Sequence, residues 1–363
     1  MIEKPKPPQP APPTPVTQLD LEQRERELKQ QLEQHGKNPR DVLWQLAQLY
    51  NATKRPEHAL QCLRQILAVE PDLEIKAACV LTLGQTMERL NDFPAAINFY
   101  REAKLMEPAR NDTWYFIHNN LGYSYNQIGR FAEGENCCRR AIQINPARPN
   151  GHKNLGIALA AQGKYREAAL CYITGTFNHA GDGRSFTLLK ELVKEHPELG
   201  FDFQKQIDRC EKLVNFAVLA IGRARAGQPM KVLLGLGKSE WLNLCGHTLK
   251  AISGGAVAIQ VAENLSQFTE IAGGKNFELG FLAPGILPTG PTDIEATVSW
   301  ERAILTVSQI KAQQPMAIIL VGTKADGARH QADCKASGVA AVLEANNQTD
   351  ALVEATIHLL TPS

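Results

Sequence analysis

No stretch of about 18 consecutive apolar residues occurs in the 363-residue sequence, so no segment reads as a membrane span. Net charge is equally scarce. The 39 Lys and Arg stand against 38 Asp and Glu, which leaves no global field to draw the chain to nucleic acid or to anionic lipid. The eight cysteines form no C-x-x-C pair and the nine histidines no H-E-x-x-H motif. Cys245-Gly246-His247 stands without a second Cys or His nearby. No metal, cofactor or catalytic group is therefore expected. Most cysteines fall at apolar helical positions, which reads as buried thiols in a reducing compartment. The opening Met1-Ile2-Glu3-Lys4-Pro5 lacks the apolar segment of a secretion signal, and a cytoplasmic location is expected.

What is present falls into two contrasting parts behind a short leader. Residues 1–16 hold seven prolines, which lack the amide hydrogen that helices and sheets need, so a disordered or polyproline-like tail is expected. Its Pro10-Ala11-Pro12-Pro13 fits a PxxP ligand pattern that so proline-rich a tail would match by chance. A single helix is expected within 17–39, capped by Thr17 and Asp20 and ended by Gly36. Beyond it, Pro71, Pro108 and Pro146 each follow a helical run, with spacings of 37 and 38 residues. Fixed periods of this size mean stacked helical hairpins. Counting back from each proline starts units at Arg40, Ala77 and Tyr115, and a fourth begins at Pro149 without a closing proline. Position 7 is Leu46, Leu83, Leu121 and Leu155. Position 8 is small (Ala47, Gly84, Gly122, Gly156), as is position 20 (Ala59, Ala96, Gly134, Ala168). Position 24 is large in most units (Leu63, Tyr100, Cys138, Tyr172). Small residues at 8 and 20 let the two helices of a unit approach, and large ones fill the space around them.

The phrases Asn120-Leu121-Gly122-Tyr123 and Asn154-Leu155-Gly156-Ile157 resemble the tetratricopeptide repeat. The resemblance implies four repeats at 40–73, 77–110, 115–148 and 149–182 within 40–183. It also implies a concave groove lined by positions 2, 5, 6, 9 and 12. These positions hold Trp44, Gln48, Gln85, Asn119, Asn120, Tyr123, Asn126, Asn150, Lys153 and Asn154, a surface rich in amides and aromatics and poor in charge. Amides can donate to and accept from a peptide backbone at once. Asn120 and Asn154 share position 6 and resemble rungs of the asparagine ladder of O-GlcNAc transferase repeats. The alternative, that these amides only brace neighbouring helices, stays open. Lys153 alone does not make the carboxylate clamp of chaperone-binding repeats. Amphipathic runs over 184–227 are expected to cap the array.

After Gly227 the period changes. Buried strands are predicted at 230–236, 256–261, 277–282, 316–321 and 340–343, alternating with helices. This alternation predicts a doubly wound, flavodoxin-like parallel sheet over 228–363 in the order 2-1-3-4-5, so the whole chain is an α array followed by an α/β domain. The alternation and the ending Ser337-Gly338-Val339-Ala340-Ala341 resemble the receiver domain of two-component signalling. Mapped onto that pattern, the magnesium-binding acidic pair falls on Leu236 and Gly237. The phospho-acceptor falls on Ala283, the hydroxyl position on Thr323 and the lysine on Ala345. Ala283 offers no nucleophile and Leu236 and Gly237 no carboxylate, so a pseudo-receiver that is not phosphorylated on Asp is expected. Gly235-Leu236-Gly237-Lys238-Ser239 fails the phosphate-loop spacing because Val232 stands where its first Gly belongs.

The expected function is a non-enzymatic protein–protein adaptor in bacterial regulation or signalling, holding a partner peptide or helix in the repeat groove. The pseudo-receiver would be a second docking surface. The alternative is a small-molecule or nucleotide-sensing α/β domain coupled to the repeat scaffold. Self-association is common among such arrays, and nothing in the sequence shows it.

Overall fold

The structure, a computed structural model, describes residues 18–34, 39–235, 240–274, 277–283, 293–313, 315–322, 328–344 and 350–360. The Pro-rich leader expected at 1–16 lies outside them. The chain divides into two compact units, 1–172 and 173–363.

In the first unit α1 (Gln18–Gln34) precedes a run of helical hairpins: α2 (Arg40–Ala52) with α3 (Pro56–Val69), α4 (Leu73–Arg89) with α5 (Phe93–Leu105), α6 (Asn111–Gln127) with α7 (Phe131–Ile144), and α8 (Pro149–Ala161) with α9 (Tyr165–Asn178), whose last turn passes into the second unit. The second helix of each of the first three hairpins stops just before Pro71, Pro108 or Pro146, as the proline spacing requires. The first helices of the second and third hairpins begin four residues earlier than the counted starts at Ala77 and Tyr115. The cause in α4 is Asp72, whose carboxylate accepts the amides of Glu74 at 2.8 Å and Ile75 at 3.3 Å and so adds a turn. Glu74 in turn reaches the next hairpin, accepting the Ala109 amide at 2.6 Å and the Thr113 hydroxyl at 3.0 Å where α6 begins.

Position 8 is where the second, third and fourth hairpins close. A methyl group on Gly84 would collide with the Tyr100 ring, and one on Gly156 with the Tyr172 ring. Position 8 therefore meets position 24 of its own hairpin, not only position 20 as the pattern led us to expect. In the third hairpin both contacts occur. A methyl on Gly122 would strike Cys138 Sγ and stand 3.1 Å from the Gly134 carbonyl oxygen, so two backbones touch. Between hairpins the filling is apolar: Val80, Ile97, Tyr100, Ile117, Leu121 and Tyr125 form one buried cluster. Helix α1 docks on the first hairpin through buried Leu28. Glu25 on α1 accepts from Arg55 at 2.6 Å and from the Tyr50 hydroxyl at 3.1 Å. These bonds hold the Glu25 carboxyl down at about 2.

The second unit opens with α10 (Arg184–Glu195) and the 28-residue α11 (Glu198–Arg225). Five parallel strands follow, β1 (Lys231–Gly235), β2 (Ala258–Ala262), β3 (Leu279–Leu282), β4 (Ala317–Gly322) and β5 (Ala341–Glu344), in the order β2-β1-β3-β4-β5. Between and after them run α12 (Glu240–Ile252), α13 (Leu265–Gly274), α14 (Asp293–Gln313), α15 (Gln331–Ala336) and α16 (Asp350–Leu360). Alternation along β1 explains the two cores. Val232 and Leu234 face one layer with Phe281 and Ile319, while Leu233 faces the other with Phe268, Trp300 and Val307.

The helices of 184–227, expected as a cap on the repeats, fall in this second unit. Leu213, Phe216, Ala217 and Ala220 of α11 are buried in the same cluster as Val232, Leu234, Leu249 and Ile252. The Arg223 guanidinium grips both oxygens of Glu278 ahead of β3, at 2.6 and 3.2 Å. A parallel sheet needs both faces covered, and α11 supplies part of one layer beside α12 and α16. The compact units thus part between Tyr172 and Ile173, where the sequence expectation drew the line near 227.

Two substitutions test this packing. Gly122→Ala is expected to cost about 2 kcal/mol of repeat stability in urea unfolding, because backbone cannot yield as a flexible side chain can. Phe216→Ala is expected to cost about 3–5 kcal/mol, read as faster amide exchange in β1 and β3 with exchange in α6 and α7 unchanged.

Candidate functional site

The first helices of the hairpins carry the predicted groove residues, and the structure sorts them into two kinds. Gln48 is exposed, and Trp44, Gln85, Tyr123, Asn150 and Lys153 are half-buried. Asn119, Asn120, Asn126 and Asn154 are buried. Trp44 packs against the apolar core of the first hairpin, and the Tyr123 ring meets Phe93 edge-on, with centroids 6.0 Å apart. Both side chains are thus partly covered by the fold and partly exposed.

The buried amides join α6 to α8. Asn154 donates through Nδ2 to Asn119 Oδ1 at 3.1 Å, and Asn119 donates to Asn120 Oδ1 at 3.0 Å. Position 6 of the third hairpin is thus linked to position 6 of the fourth through Asn119. Asn126 donates to the Asn154 carbonyl at 2.8 Å, beside Gly134. It braces two helices from inside. Asn154 Oδ1 remains buried without a hydrogen-bond partner.

Next to this chain of amides, Ser124 donates to Glu88 Oε1 at 2.8 Å, joining α4 to α6. Burial pushes the Glu88 carboxyl up to about 7, against the pull of Ser124, Tyr100 and Arg89. The Tyr100 hydroxyl, likewise buried, faces Glu88 and Asn120, and burial raises it far above the usual phenol range. His118 stacks on Trp114 with centroids 5.5 Å apart, and burial, with Lys104 and Arg140 nearby, holds it down at about 4. It is a neutral imidazole at pH 7. Burial also raises the thiols: Cys79 and Cys210 to about 12, Cys171 to about 11. They are protonated thiols, not nucleophiles. Among the described residues no three His, Cys, Asp or Glu side chains gather as metal ligands would. No described helix is long and apolar enough to cross a membrane.

In the second unit only one of the receiver-like positions can be placed. Ala283 directly follows β3 and is fully buried. Leu236, Gly237, Thr323 and Ala345 lie outside the described residues.

Glu88 gives the repeats a pH dependence of definite sign. Its folded carboxyl binds a proton that the unfolded chain releases near pH 4.5, so its contribution is full below 4.5 and is lost as pH rises through about 7. The loss across that window is expected to reach at most about 3 kcal/mol, and Glu88→Gln should flatten it in urea titrations at pH 5 and pH 8. Glu25, and Glu135, which Lys164, Arg139 and Gln162 hold down at about 2, act oppositely. Their contributions are present above 4.5 and fade as pH falls toward 2.

Comparison with known proteins bears on the first unit. Residues 41–73 and 117–148 match the family model of the tetratricopeptide repeat. The chain is 29% identical over 126 residues to "Protein O-mannosyl-transferase Tmtc1" of Drosophila melanogaster, an alignment that spans 34% of this chain and 14% of that protein. Among solved structures it is similar to MamA, at 21% identity over 44% of this chain and 88% of that one with a TM-score of 0.37. BtubC from P. vanneervenii aligns at 16% identity over 56% and 90% with a TM-score of 0.45. PilW, a type IV pilus biogenesis factor, aligns at 17% over 53% and 90% with a TM-score of 0.39. The matched segments fall on the hairpins α2–α3 and α6–α7, and residues 41–73 and 117–148 are therefore tetratricopeptide repeats.

Proposed function

We propose that the chain is a non-enzymatic adaptor of bacterial cytoplasmic regulation, whose repeats hold an extended or helical segment of a partner protein. Repeats of this family generally mediate protein–protein contacts, and the matched segments carry that reading. Partial exposure supports a role for four of the predicted groove residues. Trp44, Gln48, Gln85 and Tyr123 present contact surface and amides, with little charge to demand a matching ion. Asn119, Asn126 and Asn154 already serve the helix packing. The test is a binding assay against an array of peptides, comparing wild type with Asn120→Ala plus Tyr123→Ala. Binding is expected to be lost. Because Asn120 is buried, Gln48→Ala plus Gln85→Ala serves as a second variant that leaves the core intact. Unchanged binding by both variants removes the groove.

For the second unit, the parallel order β2-β1-β3-β4-β5 and the methyl group of Ala283 support a receiver-like module that takes no phosphoryl group on a carboxylate. The expected outcome is an unmodified intact mass after incubation with acetyl phosphate and Mg²⁺. A phosphorylated species would end this reading. The same sheet order places a reversal between β1 and β3, where open α/β sheets bind ligands, which supports a nucleotide-sensing role as the second reading. A thermal shift with a nucleotide that Thr323→Ala abolishes would favour it.

A further inference from the structure

The sheet of the second unit ends on β2, which pairs with β1 alone, in register from Lys231–Ala258 to Gly235–Ala262. The Ala258 amide donates to the Met230 carbonyl at 2.8 Å, so the backbone groups of Ala258, Gln260 and Ala262 point inward to β1. Those of Ile259 and Val261 point the other way, and nothing among the described residues meets them. Two amides and two carbonyls thus stand open along the edge. Sheets blunt such an edge with a charge, a proline, a bulge or a covering element. Among the described residues β2 has none of these. Ala258-Ile259-Gln260-Val261-Ala262 holds no charged residue and no proline, its register with β1 is unbroken, and Val261 is 44% exposed. The neighbouring helices cover the faces of the sheet instead, α12 through Leu249 and Ile252 and α13 through Phe268 and Ala272.

We infer that β2 pairs antiparallel with β2 of a second copy of the chain, about a two-fold axis through Gln260. Only an extended strand offers donors and acceptors at the spacing these open groups need. A second copy fits because the strand is its own complement. With Gln260 facing the partner's Gln260, Ile259 stands opposite the partner's Val261 and Val261 opposite the partner's Ile259. These are the hydrogen-bonded sites of an antiparallel ladder, so all four open groups of each copy are satisfied at once. The same pairing lays a β-branched side chain against each exposed Val261, on the face that Leu234 shares. No like charges meet, since Glu263 falls opposite the partner's Val257.

The test weighs the full chain by sedimentation equilibrium between about 1 and 100 μM. Wild type is expected to approach twice the chain's 40.0 kDa at the upper end. Val261→Lys sets a charge on the edge, and Val261→Pro removes an open amide without touching the ladder to β1, so each should return the mass to that of one chain. Where Val261→Pro fails to fold by circular dichroism, Val261→Lys decides. Oxidation with diamide, which takes up the two electrons and two protons of a thiol pair, reads the register. Gln260→Cys is expected to cross-link beyond wild type and Val261→Cys is not, because facing residues lie within disulfide reach while diagonal ones stand about 7–8 Å apart. A mass of one chain throughout leaves the edge to a strand of another protein and overturns the pairing. So does a dimer that Val261→Lys leaves undisturbed, a Gln260→Cys variant no more cross-linked than wild type, or equal cross-linking of the two cysteine variants.

Discussion

Two helices can bring their backbones into contact only where neither carries a Cβ on the facing side, and the repeat unit is organised around that contact. Gly122 and Gly134 meet within van der Waals reach of each other's carbonyl oxygens, and Gly84 and Gly156 make room for a tyrosine ring from the partner helix. Once a hairpin is closed in this way, its large side chains are displaced toward the neighbouring hairpins, where Tyr100, Ile117, Leu121 and Tyr125 fill the space between. Positions on the opposite side of the first helices are left with nothing to pack against. That is why Gln48 and part of Trp44 reach solvent while Leu46 and Ala47 between them do not.

Electrostatics follows the same geometry. Where carboxylates keep cations beside them, as Glu25 on α1 and Glu135 on α7 do, those cations hold them ionised. Where one is drawn inward between hairpins, as Glu88 is, it meets only hydroxyls and an arginine too weakly placed to offset burial. The array thus carries acids of opposite temper. The buried side chains of His118 and the cysteines are held in their uncharged forms by the same loss of water.

Much of this was legible before any coordinates. Periodic prolines and paired small residues located the hairpins, and the alternation of apolar runs with helical patterns predicted five strands in the order that the sheet shows. The strands were readable because a buried parallel strand is a short apolar run with no other explanation. The destination of α11 was not legible. Its apolar stripe from Leu213 to Ala220 states that a surface must be covered without stating which, and a repeat array and an open sheet both offer one. Asn126 holds a predicted groove position yet is buried and donates to the Asn154 carbonyl, for a related reason: helical periodicity gives direction only to within about a third of a turn.

One carboxylate in the array has a consequence for how it comes apart. Glu74 starts in α4 but terminates the orphan amides ahead of α6, so the beginning of the third hairpin is completed by the second. If the second hairpin opens, the third loses its stopper and frays from the same end. Thermal opening should therefore travel along the stack in one direction more readily than in the other, like a zip fastener with its slider set at α4.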